Sequence, residues 1–326
     1  MSSFQLPIMS IGQAFESSAL KVTPLYIDPV TGMDWVEFNE AFERGLVKVT
    51  EIGDQGVVEA VMVSNLASVP LVILEGQGIQ GAKQNRALQK TIVIAANSKL
   101  EVPVNCVEQG RWRYKSSEFS PGKFASTPDM KVAKSRSFAS KRSVDQGMVW
   151  NKVAELSESM SVSSESMDLG EVLEKVRKKH PRPSKKMLDF KESFDANGFL
   201  VSISGITFLE LFAEASWAKR ALHQCWDSWI ALGRGKRSIS RTLPTRGNDW
   251  SSLDSVGEEA HWVTHSQASG YAAQYKSSLI HGFLSGHHGS TSKNKGSSRD
   301  VFTEVNSIQL DEVEIDVPTW LRRRGL

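Results

Sequence analysis

The residue types best suited to chemistry concentrate in one stretch of the chain. Leu74-Glu75-Gly76 opens it, Gly81-Ala82-Lys83-Gln84-Asn85-Arg86 continues it, and Asn105-Cys106-Val107-Glu108-Gln109-Gly110-Arg111-Trp112 closes it. Arg86 and Arg111 offer planar forks that suit a phosphate or carboxylate in two-point contact, and Lys83 adds a point charge. Gln84 and Asn85 carry donors and acceptors together and can read hydroxyls or amides. Trp112 can stack on a base. Glu75 or Glu108 can hold a ribose diol, stabilise an oxocarbenium-like centre, or serve as acid or base. Gly76, Gly81 and Gly110 let the backbone approach a ligand closely. The set suits an anionic, nucleotide-like ligand and specifies no reaction by itself. The competing reading is a group of ordinary polar loop residues.

Other chemistries have weaker support. Cys106 is a candidate nucleophile, although a buried, inert thiol at a strand end is the commoner use of such a residue. His261 and His265 have the i, i+4 spacing that would pair two imidazoles on a helix face, but Trp262, Val263 and Thr264 between them give no H-E-x-x-H, and no metal site is expected. The letters G-x-G-x-x-G occur at Gly76, Gly78 and Gly81, yet Lys83 to Arg86 leads into another strand rather than a helix, which argues against a dinucleotide fold. There is neither a phosphate-binding G-x-x-x-x-G-K-[ST] loop nor a G-x-S-x-G elbow.

The elements that must position these residues read as strands. Leu46 to Ile52 and Val57 to Val63 are rich in β-branched residues around Gly53-Asp54-Gln55-Gly56, the pattern of a hairpin. Val69 to Leu74, Thr91 to Ala95 and Leu100 to Val107 continue an antiparallel sandwich or barrel-like sheet. If these strands are neighbours, Glu75, Lys83 to Arg86 and Cys106 to Trp112 share one rim. A short helix is expected after Asp34 as its cap, with Trp35, Phe38 and Phe42 on one face and Gly45 at its end.

From Lys115 to Arg142 the composition shifts to Ser, Lys and Arg, which predicts a solvated loop and an exposed helix face, or a landing site for phosphates. Met148, Val149, Val153 and Leu156 predict a helix, and Leu169 to Lys179 a second one stopped by Pro181 and Pro183. Phe199 to Ser204 and Ile206 to Phe212 predict a hairpin around Gly205. Ala218, Leu222, Cys225, Trp226 and Trp229 then repeat at helical spacing, with Gly233 as terminator, and read as core packing. Gly233 to Asn248 reads as a basic loop and Glu258 to Lys276 as helical. Leu279 to Leu284 and Val301 to Leu310 read as strands flanking a polar loop, Ser285 to Arg299, and the Leu321-to-Leu326 tail as exposed.

The fold class is therefore α+β: a β-rich N-terminal part, residues 1–115, a basic Ser-rich segment with helices, 116–190, and a helix-and-hairpin part, 191–326, or one continuous fold of these pieces. At roughly 150 residues per domain, a chain of 326 residues holds about two domains or one large one. A net charge of +2 gives no whole-chain case for nucleic acid or membrane. Two cysteines make no disulfide framework. No secretory leader is visible, and no stretch approaches the ~20 apolar residues of a membrane helix, so a cytoplasmic protein is expected.

The run from Leu74 to Trp112 resembles the signature of a family of unknown function, the ARG and rhodanese-phosphatase-superfamily-associated protein domain, where ARG stands for ADP-ribosylglycohydrolase. Gln146-Gly147-Met148-Val149-Trp150 and the segment Gly198 to Trp229 resemble it as well, so the likeness spans roughly residues 10 to 310. The resemblance implies association with the metabolism of NAD-derived nucleotides. It carries no established catalytic residues, so Glu75, Lys83, Gln84, Asn85, Arg86, Cys106, Glu108, Arg111 and Trp112 remain candidates on their chemistry. The expectation is a protein that binds or processes ADP-ribose, NAD or a related nucleotide, as hydrolase or transferase. The alternative is a non-catalytic sensor or a scaffold for a protein partner. No bound cofactor is expected, and nucleic-acid binding through the basic loops is the weakest reading.

Overall fold

The computed structural model describes residues 9–17, 20–27, 35–141, 144–179, 184–203, 206–212, 214–235, 260–263, 270–276 and 280–287. Its architecture is α+β. The first strands are β1 (Met9–Ile11), β2 (Phe15–Ser17), β3 (Leu20–Ile27) and β4 (Val36–Glu37), and helix α1 (Phe38–Glu43) follows. Next come β5 (Val47–Thr50), β6 (Ala60–Asn65), β7 (Leu71–Ile73), β8 (Gln77–Gly81), β9 (Arg86–Leu88), β10 (Ile92–Ile94), β11 (Lys99–Cys106) and β12 (Phe119–Ala125). Four helices follow, α2 (Pro128–Lys141), α3 (Gln146–Ser159), α4 (Leu169–Lys179) and α5 (Lys185–Ser193). The last elements are β13 (Gly198–Ile203), β14 (Ile206–Phe212), α6 (Ala215–Gly235), β15 (Ala260–Val263), β16 (Gly270–Lys276) and β17 (Ile280–His287).

Six strands close into a barrel in the order β11-β6-β5-β12-β8-β9. The predicted hairpin is present: β5 and β6 pair antiparallel with Val49 opposite Val63. Alternation explains the pairing, because Val47, Val49, Val61 and Val63 point into the barrel core while Lys48 stays outside. The connection is longer than the four-residue turn, and Val57 and Val58 lie exposed in it rather than in the strand. Its carbonyls have another use, described below. Strands β8, β9 and β12 are not visible in the sequence pattern. In β8 the glycines hide the strand signal, yet a Cβ at Gly78 would meet the Phe124 carbonyl oxygen at 2.5 Å. Pro121 and Gly122 obscure β12, whose register against β8 shifts between Pro121 and Ala125.

A second sheet takes strands from both ends of the chain, in the order β1-β3-β13-β14-β17-β16-β15, with β2 also on β3. β3 therefore lies beside β13, with Val22 opposite Val201. Helix α6 covers this sheet with Trp217, Ala218, Leu222, Cys225, Trp226 and Trp229, all buried, as the helical stripe predicts. Helices α2, α3 and α4 form a third apolar cluster. In α4 the buried residues are Leu169, Val172, Leu173 and Val176, the i, i+3, i+4, i+7 stripe.

Three expectations need correction. The cap of α1 is Glu37, not Asp34: its carboxylate accepts the N–H groups of Asn39 and Glu40 at 3.0 and 3.4 Å. The basic stretch is not a solvated face throughout. Phe119–Ala125 is a barrel strand, and Lys131 and Lys134 of α2 point inward, because the buried carboxylates of Glu210 and Glu75 oppose them. Glu258 to Lys276 is not helical where described, since β15 and β16 pair antiparallel there. His261 is thus on a strand, and His265 lies outside the described residues, as do residues 236–248, Val301 to Leu310, the polar loop beyond His287 and the tail.

Candidate functional site

Glu108 is the centre of a polar network just after β11. Its carboxylate accepts Arg111 Nε at 2.8 Å and Arg111 Nη2 at 2.7 Å. It also accepts the Asn85 backbone N–H at 2.9 Å and Ser166 Oγ at 3.0 Å. Burial pushes Glu108 up, but the bonds from Arg111, the Asn85 N–H and Ser166 together with the guanidinium charge win, and its pKa lies below the usual carboxylate range. Asn85 joins this carboxylate to a second one: its Nδ2 donates to Asp168 Oδ2 at 2.9 Å, while its Oδ1 accepts Gly81 N–H at 3.0 Å. Asp168 sits just before α4 and accepts the Gly170 N–H at 3.1 Å. The backbones of Glu108 and Asp168 form a β-bridge, and Leu169 N–H donates to Val107 O at 2.9 Å. Burial, then the Glu108 charge, raise Asp168 to about 6 against the pull of the Gly170 and Asn85 bonds. Two neighbouring carboxylates are thus shifted in opposite directions.

Both face a groove of about 750 Å³ between β8, β12, α4 and α6, within the 300–1,000 Å³ range of ligand sites. Asn85, Glu108 and Asp168 line one part of it; Lys115, Lys123 and Arg177 supply positive charge to the rim, and Glu171, Glu174 and Asp227 supply negative charge. Lys115 and Lys123 are exposed, and Arg177 is mostly so, 4.0 Å from Asp227.

The other residues singled out from the sequence lie elsewhere or are turned inward. Arg86 is 0 % exposed inside the barrel end. Its Nη2 donates to Glu51 Oε2 at 2.7 Å and its Nη1 to the carbonyls of Val57 and Ala60 at 2.6 and 2.8 Å. The long β5–β6 connection provides Glu51 and the Val57 carbonyl, and Ala60 is the first residue of β6. The Arg86 guanidinium also lies 5.8 and 5.4 Å from the ring centroids of Trp112 and Phe119. Arg111 spends its remaining donors on the carbonyls of Ala82, Arg113 and Gly81, so it buttresses the groove rather than extending into it. Lys83 Nζ donates to the carbonyls of Asp54 and Gln55 and sits between the rings of Trp112 and Tyr114, 5.4 and 4.9 Å from their centroids. Trp112 is 46 % exposed, at this barrel end and outside the groove lining. Gln84 Nε2 donates to Glu108 O at 2.8 Å, and its Oε1 accepts from Cys106 Sγ at 2.7 Å. Burial pushes the Cys106 thiol up to about 11, so it is protonated at neutral pH.

Glu75 lies away from the groove, in a buried cluster with Lys134, Lys131 and Glu210. Burial raises it to about 7 against the attraction of the two lysines. Sequence reasoning missed Asp168 and Arg177. An acidic residue directly before the predicted helix Leu169 to Lys179 was the available signal. Among the described residues no group of three or more His, Cys, Asp and Glu could hold a metal, and no helix is long and apolar enough to cross a membrane.

The family model of the ARG and Rhodanese-Phosphatase-superfamily-associated Protein domain matches residues 8–284, and the chain belongs to that family. No curated protein and no solved structure matches the chain.

Proposed function

Taking that membership as the premise, we propose that the groove binds and acts on an ADP-ribose- or NAD-derived nucleotide, as a hydrolase or transferase. The observation that supports this reading best is the carboxylate pair in a groove whose rim carries three cations, Lys115, Lys123 and Arg177, among the carboxylates Glu171, Glu174 and Asp227. Lys115, Lys123 and Arg177 would meet the phosphates. Asp168, raised towards neutrality, would donate a proton to a leaving group, and Glu108, held ionised, would stabilise positive charge developing at the sugar. Four donors already saturate Glu108, so its part is electrostatic, with Arg111 and Ser166 as positioning residues. The described cysteines are both buried and unpaired, in keeping with a reducing compartment such as the cytoplasm.

A second reading has its own support. The saturation of Glu108 and Arg111 makes the groove floor rigid, which suits a sensor that binds without turnover. Incubation of the protein with ADP-ribose and with NAD, read by thermal shift and product mass, separates the two. A stabilised protein with a new product mass that Asp168→Asn abolishes supports the enzyme. Stabilisation without product supports the sensor, and no stabilisation by either compound refutes both.

A further inference from the structure

Beneath α6 lies a second, much smaller cavity. Its volume is about 10 Å³, room for the centre of one water molecule, and its lining includes Glu75, Thr91, Lys131, Glu210 and Gln224. Glu75 enters it from the middle of the β7–β8 connection. The Glu75 side chain is 8 % exposed, and its Oε1 is buried without a hydrogen-bond partner. Lys134 Nζ stands 3.9 Å from that oxygen, close enough for attraction and too far for a hydrogen bond. Lys134 instead donates to Leu88 O at 3.0 Å and Ser126 Oγ at 3.3 Å, and these two bonds hold its ammonium at that distance. Lys131 holds both oxygens of Glu210, at 2.7 and 2.9 Å.

A buried carboxylate oxygen is costly unless a donor reaches it, and this cavity, in which Glu75 and its polar neighbours stand among the apolar Leu74, Ala125, Phe212 and Ala221, is where a donor can sit. We infer that the cavity is a specific site for one ordered water molecule, which donates to Glu75 Oε1 and ties the barrel to the α2–β14 ion pair. Gln224 lines this cavity and the large groove alike, so it stands between the two. Its side chain is anchored, with Nε2 donating to Gln77 Oε1 at 2.8 Å. The inference is independent of what the groove binds.

Crystal structures that resolve ordered water, of the wild-type protein and of Glu75→Gln and Glu75→Met, test it. The wild type and Glu75→Gln should each show one solvent peak within hydrogen-bond distance of the residue 75 side-chain oxygen, and the near-isosteric Glu75→Met should lose it. A wild-type map without the peak, or with the Glu75 carboxylate bonded directly to Lys134, overturns the inference even if neither variant folds. So does a peak that persists unchanged in Glu75→Met.

Discussion

Arg86→Ala should unfold the protein more readily rather than weaken a ligand. The guanidinium is 0 % exposed and its partner Glu51 is 3 % exposed, with 2.7 Å between Nη2 and Oε2. The substitution leaves the Glu51 carboxylate buried with the Lys83 backbone N–H at 3.1 Å, and it strips the carbonyls of Val57 and Ala60 of their donor. Breaking one side of such a buried pair costs about 3–5 kcal/mol, a large share of the 5–15 kcal/mol that stabilises a typical domain. Replacing both partners, Arg86→Met with Glu51→Leu, removes the stranded charge and should recover much of the loss, since an apolar pair of similar volume is often neutral or better. Urea unfolding of the wild type, the single variant and the double variant measures this. A single variant within about 0.5 kcal/mol of wild type would refute the structural role, because surface changes have that size. If the same variant lost nucleotide affinity, the phosphate role read from the sequence would be restored.

Four further outcomes follow from the geometry. Asp168 should titrate near pH 6; because its folded value is raised from 3.8, it contributes about 3 kcal/mol that is present below about pH 4 and lost as pH rises through 6. Glu108→Gln should lower that midpoint without restoring the ordinary value, since burial is the larger cause; carboxyl NMR reads both, and an Asp168 midpoint near 4 in the wild type contradicts the account. Gly78→Ala should cost at least about 1–3 kcal/mol, because the new Cβ would meet the Phe124 carbonyl oxygen at 2.5 Å; unchanged thermal unfolding would mean that β8 and β12 do not pack as described. Lys131→Met should destabilise by about 3–5 kcal/mol by leaving Glu210 buried and unpaired, and Lys131→Met with Glu210→Leu should relieve it; equal stability of the single variant and wild type contradicts the pair.

Local patterns carried much of the fold. The helix predicted over Leu169 to Lys179 is the helix observed, because four apolar residues on one face and a proline stop are local signals. The hairpin Phe199 to Phe212 and the Trp stripe of α6 were legible for the same reason. Lys131 and Lys134 were not, since a lysine looks solvated until a distant carboxylate such as Glu210 makes its burial affordable. β8 and β12 were hidden by glycine and proline, whose placement answers to the close approach of Gly78 to Phe124. The candidate site was legible in part. Asn85 and Glu108 belong to one network with Arg111, but Asp168 joins them from 83 residues away in the chain from Asn85, through a contact that no local pattern announces. Arg86 and Lys83 have the chemistry of phosphate ligands, yet the β5–β6 connection folds over them and accepts their hydrogen bonds.

The most direct test of the groove is calorimetric titration of ADP-ribose into the wild type and into the Lys123→Glu, Arg177→Glu double variant. Both side chains lie on the groove's surface, and because Arg177→Glu also faces Asp227, the unfolding temperature of the variant is measured beside its affinity to show that it is folded. The account predicts one site in the wild type and at least a tenfold loss of affinity in the variant, about 1.4 kcal/mol or more. Equal affinity in the two proteins, or no binding to the wild type, would contradict it.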